Sequence, residues 1–157
     1  MSETTRLADQ LRRAFDGDAW HGDSLLELLE GINAKMAAAH PIKDAHSIWE
    51  LVLHIAAWDG AALKRTTGVA VELSDEQNFP PANDTSEAAW GNTIEHAKHA
   101  HNELVRTVAA FPDSRLQEQV PGKTESYYNF FYLFSGVVQH ELYHAGQIAL
   151  LKKAQSR

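Results

Sequence analysis

The stretch 139-QHELYHAGQIALL-151 sets two histidines four positions apart with a glutamate between them. On a helix, His140 and His144 lie one turn apart on the same face, so both imidazoles can converge on one metal ion. Three chemistries use such a pair. His-Glu-x-x-His is the pattern of zinc proteases, Glu-x-x-His that of di-iron bundles, and two spaced histidines also serve in three-histidine sites. The chain has nine histidines and no cysteine. Thiolate nucleophiles, disulfides and Cys-type zinc sites are therefore excluded, and the histidine count makes imidazole the donor to expect in any metal chemistry.

The protease pattern usually takes a third ligand from further along the chain. Only 13 residues follow His144, and none is His, Asp or Glu. Gly146 also sits one place early for the extended form of that motif. A di-iron site needs a second Glu-x-x-His and two further glutamates from facing helices, and no second Glu-x-x-His falls in a predicted helix. What remains is a third histidine from another helix. His54, in 50-ELVLHIAAWD-59, lies beside the apolar stripe of Leu51, Ile55 and Trp58. A lone core histidine ordinarily packs against a carbonyl, but one facing a histidine pair reads as a ligand. Three neutral imidazoles suit Zn²⁺ and leave a fourth position open; nickel and ferrous iron accept the same donors, and ligand type does not separate them.

The elements that must position these residues are helical. Ser24–Glu27 and Ser47–Glu50 read as capping boxes, with an Asp84–Glu87 variant of the same signal. Apolar residues then recur at helical spacing: Leu25, Leu28, Leu29 and Ile32; Ile48, Leu51, Ile55 and Trp58; Trp90, Ile94, Ala97, Leu104 and Val108; and Phe130 through Leu151. Gly17 and Gly22 interrupt the first region, so residues 3–31 form one kinked helix or two. Residues 69–84 and 112–123 read as long connections. The prediction is a single all-α domain over 1–157, a four-helix bundle with a long crossover connection.

Hydrophobic residues make up 44% of the chain and charged residues 22%, with a formal net charge of −7. No basic face is available for nucleic acid or an anionic membrane surface. No apolar run approaches the length of a membrane span, and the N-terminus lacks an apolar signal core, so a cytoplasmic location is expected.

Three blocks, 20-WHGDSLLELLEGI-32, 45-AHSIWELVLHIAAWDGA-61 and 139-QHELYHAGQIALLKK-153, resemble the DinB/YfiT-like superfamily of metal-dependent four-helix-bundle proteins. The likeness covers nearly the whole chain. It implies a homodimer with one metal, zinc or nickel, held by His54, His140 and His144. It also implies a small-molecule substrate, in some relatives a low-molecular-weight thiol such as bacillithiol or mycothiol. Thiol S-transfer and hydrolysis are the two reactions it suggests, with a metal-binding or ligand-binding homodimer without catalysis as the alternative. Glu141 reads first as a solvated helix position and second as a general base or an orienter of the ligands. Glu50, one turn before His54, reads the same way. His21 and His46 stand near helix starts, where the family's substrate cleft would open, while His96 and His99 read as polar surface.

Overall fold

The computed structural model describes residues 1–156. Helix starts in it are fixed by side-chain caps. The Ser2 hydroxyl accepts from the Thr5 N–H and begins α1, Glu3–Asp16. The Glu27 carboxylate accepts from the Ser24 N–H at 2.7 Å and begins α2, Leu25–Leu29. Asn33 caps α3, Ala34–Ala38. At α4, Ile48–Thr66, Ser47 and Glu50 exchange both bonds of a capping box. A short α5, Asp75–Asn78, starts at Ser74 inside the connection that the sequence reads as structureless. Ser86 caps α6, Glu87–Ala110, and Asn129 caps α7, Phe130–Ala154.

Of the two forms the sequence left open for residues 3–31, the chain takes two helices: Gly17 has φ 134°, and eight residues separate α1 from α2. One sequence expectation changes. The expected Asp84–Glu87 box does not form. Asp84 accepts from the Ser86 N–H, while Glu87 reaches across to the Ala34 N–H at 3.0 Å and ties α6 to α3. Ser86 is the better cap because it stands immediately before the first helical residue.

The long helices α1, α4, α6 and α7 make the bundle. α4 packs against α6 and α7, and α1 packs against the same two. Consecutive bundle helices α1 and α4 are thus diagonal partners. The chain from Gly17 to Ser47 has to cross one end of the bundle, and it carries α2 and α3 across. That is the expected crossover. Among the described residues the core is all-helical, with one isolated bridge between Gln119 and Asn129.

Two apolar clusters fill the interior. One holds Phe15, Trp49, Ile55, Ala97, Ala145 and Ile148; the other holds Leu11, Ala62, Leu104, Phe130, Phe134 and Val137. Between them every long helix passes through a polar layer. Asp59 on α4, His101 on α6 and Glu141 on α7 are each 1% exposed or less, and Phe15 on α1 stacks on the His101 ring at 4.1 Å. The long connections on either side of α5 and before α7 also touch. Gly122 sits at φ +81°, and a Cβ there would come within 2.8 Å of Ala70. Glycine is required at this crossing of the two segments.

Candidate metal centre and its cleft

The Ser47–Glu50 box sets where α4 begins, and two turns later His54 points between α4 and α7. His140 and His144 meet it from α7. His54 Nε2 stands 2.9 Å from His140 Nε2, which stands 3.1 Å from His144 Nε2. Imidazole nitrogens bound to one tetrahedral zinc stand about 3.3 Å apart, so the three atoms already surround a volume of the right size.

The ring tautomers are set by the opposite nitrogens. His54 Nδ1 donates to the Asn78 backbone carbonyl at 2.6 Å. His144 Nδ1 donates to Gln147 Oε1 at 2.6 Å. Each of these rings therefore presents an Nε2 lone pair to the centre. His140 has only one Nε2 proton to offer and cannot satisfy both neighbours. A cation shared by three lone pairs resolves that conflict, so the donor set fits a divalent metal.

Electrostatics point the same way. Burial pushes His140 down to about 3, with the neighbouring His144 and His54 adding to the shift. Burial also lowers His54 against the raising effect of its Asn78 hydrogen bond, and lowers His144. All three rings are held neutral, the form that ligates metal.

The histidines floor a cleft of about 450 Å³ walled by Trp58, Phe79, Tyr128, Tyr132 and Tyr143, with Arg65 at its far side. Phe79 stacks on His54 at 4.1 Å, and its other face carries His46 at 3.9 Å. Trp58 donates from Nε1 to the Asn78 side chain at 2.8 Å. Asn78, the last residue of α5, thus holds both a candidate ligand and a cleft wall.

The other expected site residues fall elsewhere. His46 reaches the centre only through the Phe79 ring. Glu50 spends its carboxylate on the Ser47 N–H at 2.8 Å, with His40 and His46 both at 3.3 Å, and makes no bond to His54. His21 is exposed beside Trp20, near Arg13 and Leu142, and does not line the cleft. His96 and His99 are exposed, as expected.

Glu141 needs a larger correction. It is fully buried, not solvated, because its position on α7 turns it into the polar layer and away from the cleft. His101 Nδ1 donates to Asp59 Oδ2 at 3.2 Å. Glu141 Oε1 stands 2.8 Å from the same nitrogen but off the N–H direction, so both Glu141 oxygens lack a hydrogen bond. Burial and the Asp59 charge push Glu141 up to about 8. Burial alone would lower His101, but Asp59 and Glu141 outweigh it and raise the ring to about 9. The layer is a buried imidazolium between two carboxyl groups.

Asp59, Arg65, Asn78, His101 and Gln147 escape the sequence reading. Two of them carry a signal in hindsight. His101 falls between Ala97 and Leu104 on the apolar stripe of α6, and Gln147 stands one turn after His144. Asp59 and Arg65 look like ordinary solvent-facing charges, and Asn78 lies in a connection.

The sequence model described as the DinB superfamily matches residues 18–148. No curated protein matches the chain.

Proposed function

Starting from the fact that this chain belongs to the DinB superfamily, we propose that it binds one divalent transition metal, zinc or nickel, through His54, His140 and His144, and that it catalyses thiol S-transfer on a small molecule. The observation carrying this reading is the convergence of three imidazole nitrogens, two of them fixed as lone-pair donors by Asn78 and Gln147. The metal supplies Lewis acidity, which eases deprotonation of a thiol and polarises an electrophile. The chain itself provides orientation and exclusion of water. Trp58, Phe79 and Tyr128 offer flat apolar walls, and Phe79 shields the His54 face.

Transfer is favoured over hydrolysis by what lines the cleft. No Asp or Glu borders it, so no carboxylate base is placed to activate water. The metal would lower the pKa of bound water and bound thiol alike, but a thiol starts at about 8.5 against about 15.7 for water, so it ionises with less help from a base. The same absence supports one alternative, a metal-binding homodimer without turnover.

Loading the protein with zinc or nickel and assaying conjugation of a panel of low-molecular-weight thiols to generic electrophiles separates the two. Metal-dependent conjugation supports the transferase. Stoichiometric metal with no turnover across the panel leaves the binding protein.

A homodimer belongs to this reading as well. Tyr132, Tyr143 and Leu150 are 49%, 66% and 63% exposed. They recur at intervals of 11 and 7 residues, both close to whole helical turns, and so form one stripe along α7. An apolar stripe of this kind supports a two-fold contact with a second copy.

A further inference from the structure

Arg65 is 2% exposed and stands on the wall of the cleft. It shares a face of α4 with His54, Trp58 and Ala62, at steps of four, four and three residues, and all four line the cleft. Its Nη2 donates to the Val71 carbonyl at 2.8 Å. Its Nε and Nη1 are buried and have no partner. The ion pairs of the described residues that involve Arg or Lys use Arg6, Arg12, Arg13, Lys98, Arg106 and Arg115, and none uses Arg65.

A guanidinium cannot shed its proton, so burial leaves a full charge with a single neutral hydrogen bond. What it lacks is an acceptor that matches its fork. No Asp or Glu lines the cleft to provide one. The acceptor therefore has to arrive with the ligand.

We propose that Arg65 is the anion-recognising residue of the cleft and that the small molecule bound there carries a carboxylate. Two parallel oxygens match the guanidinium fork and form charge-assisted bonds. A phosphate dianion fits less well, because a single cation among aromatic walls would leave half its charge unpaired. Nε and Nη1 are buried, so pairing asks the Arg65 fork, which is hydrogen-bonded only to the Val71 carbonyl and lies over the Trp58 ring, to turn into the cleft.

The placement also orients the ligand. Arg65 starts about 16 Å beyond His54 along the helix axis, and its side chain leans back toward that residue. Trp58 lies between the two ends, its ring 5.6 Å from the Arg65 Cζ and 5.9 Å from the His140 ring. A carboxylate held at Arg65 thus sends the rest of an extended, apolar molecule across Trp58 toward the three histidines. The orientation of that second end rests on the metal reading above. The anion subsite does not.

The test is calorimetric titration with 4-phenylbutyrate and with its uncharged amide, on metal-free and on zinc-loaded protein. The expected result is a preference for the carboxylate of at least about tenfold in both forms. In Arg65→Met the preference disappears while circular dichroism stays helical, and in Arg65→Lys it is partly retained. Equal affinity for acid and amide in the unmodified protein overturns the proposal without any variant. So does binding of neither probe, or a preference that survives in a folded Arg65→Met. A preference confined to the zinc-loaded form and insensitive to Arg65 assigns the carboxylate to the metal, and also overturns it. A carboxylate preference in a protein that takes up no metal upholds Arg65 and removes the metal reading instead.

Discussion

His54 Nδ1 donates to the backbone carbonyl of Asn78 at 2.6 Å. One hydrogen bond to a main-chain oxygen thereby decides which nitrogen of His54 faces the bundle interior. Gln147 does the same for His144 from one turn along α7. The site is pre-oriented from outside its ligand set, and orienting partners of this type matter nearly as much as the ligands themselves.

Gln147→Leu removes one orienter without touching a ligand. Metal affinity should fall about 10–100-fold with the helical content unchanged. Competition against a fluorescent zinc chelator measures it. Unaltered affinity would mean that the His144 tautomer is not set by Gln147.

His101→Ala leaves Asp59 and Glu141 buried without their cation. The protein should lose about 3–5 kcal/mol of stability. Replacing Asp59, His101 and Glu141 together by leucine should cost far less than the single change, because removing both signs of charge can be neutral or stabilising. Urea unfolding compares them. The leucine variant should still take up metal, since the layer and the cleft share helices but no hydrogen bonds.

The same layer gives a pH dependence with a definite sign. His101 is raised from 6.5 to about 9 in the folded protein. The folded state therefore binds more protons there than the unfolded chain between those values, and stability falls as pH rises. The contribution is full below about 6.5 and lost through about 9. Glu141, raised from 4.5 to about 8, acts in the same direction. Thermal melts between pH 6.5 and 9.5 should show a decline that the leucine variant lacks.

A charge on the exposed stripe of α7 should separate copies of the chain. Leu150→Glu, on the part of the stripe that does not line the cleft, is expected to yield monomers in sedimentation equilibrium, against dimers for the unmodified protein. Monomers in both would remove the homodimer and leave the metal site untouched.

Much of this was legible in the sequence for identifiable reasons. Serine caps, glycine breaks and stripes at helical period report local preferences, and they located the starts of α2 and α4; α7 begins at Phe130, several residues after the 112–123 connection read from the sequence, because Asn129 is its cap. The histidine set was legible because His140 and His144 sit one turn apart and His54 lies beside an apolar stripe. The polar layer was not, because a charged residue on an amphipathic helix looks solvated unless its partners are known. Asp59, His101 and Glu141 come from three helices, and only the packing brings them together. Arg65 was hidden for a related reason: its burial depends on the Val71 segment folding over it. Asn78 lies on a four-residue helix inside a connection, where no periodic pattern can form.

The central claim is that the three imidazoles share one ion, and elemental analysis of untagged protein tests it most directly. The protein is purified without a histidine tag, dialysed against zinc or nickel, and compared with the combined variant His54→Ala, His140→Ala, His144→Ala. About one metal per chain in the unmodified protein and none in the variant is the result this account requires. Substoichiometric metal in the unmodified protein, or equal metal in both, would contradict it.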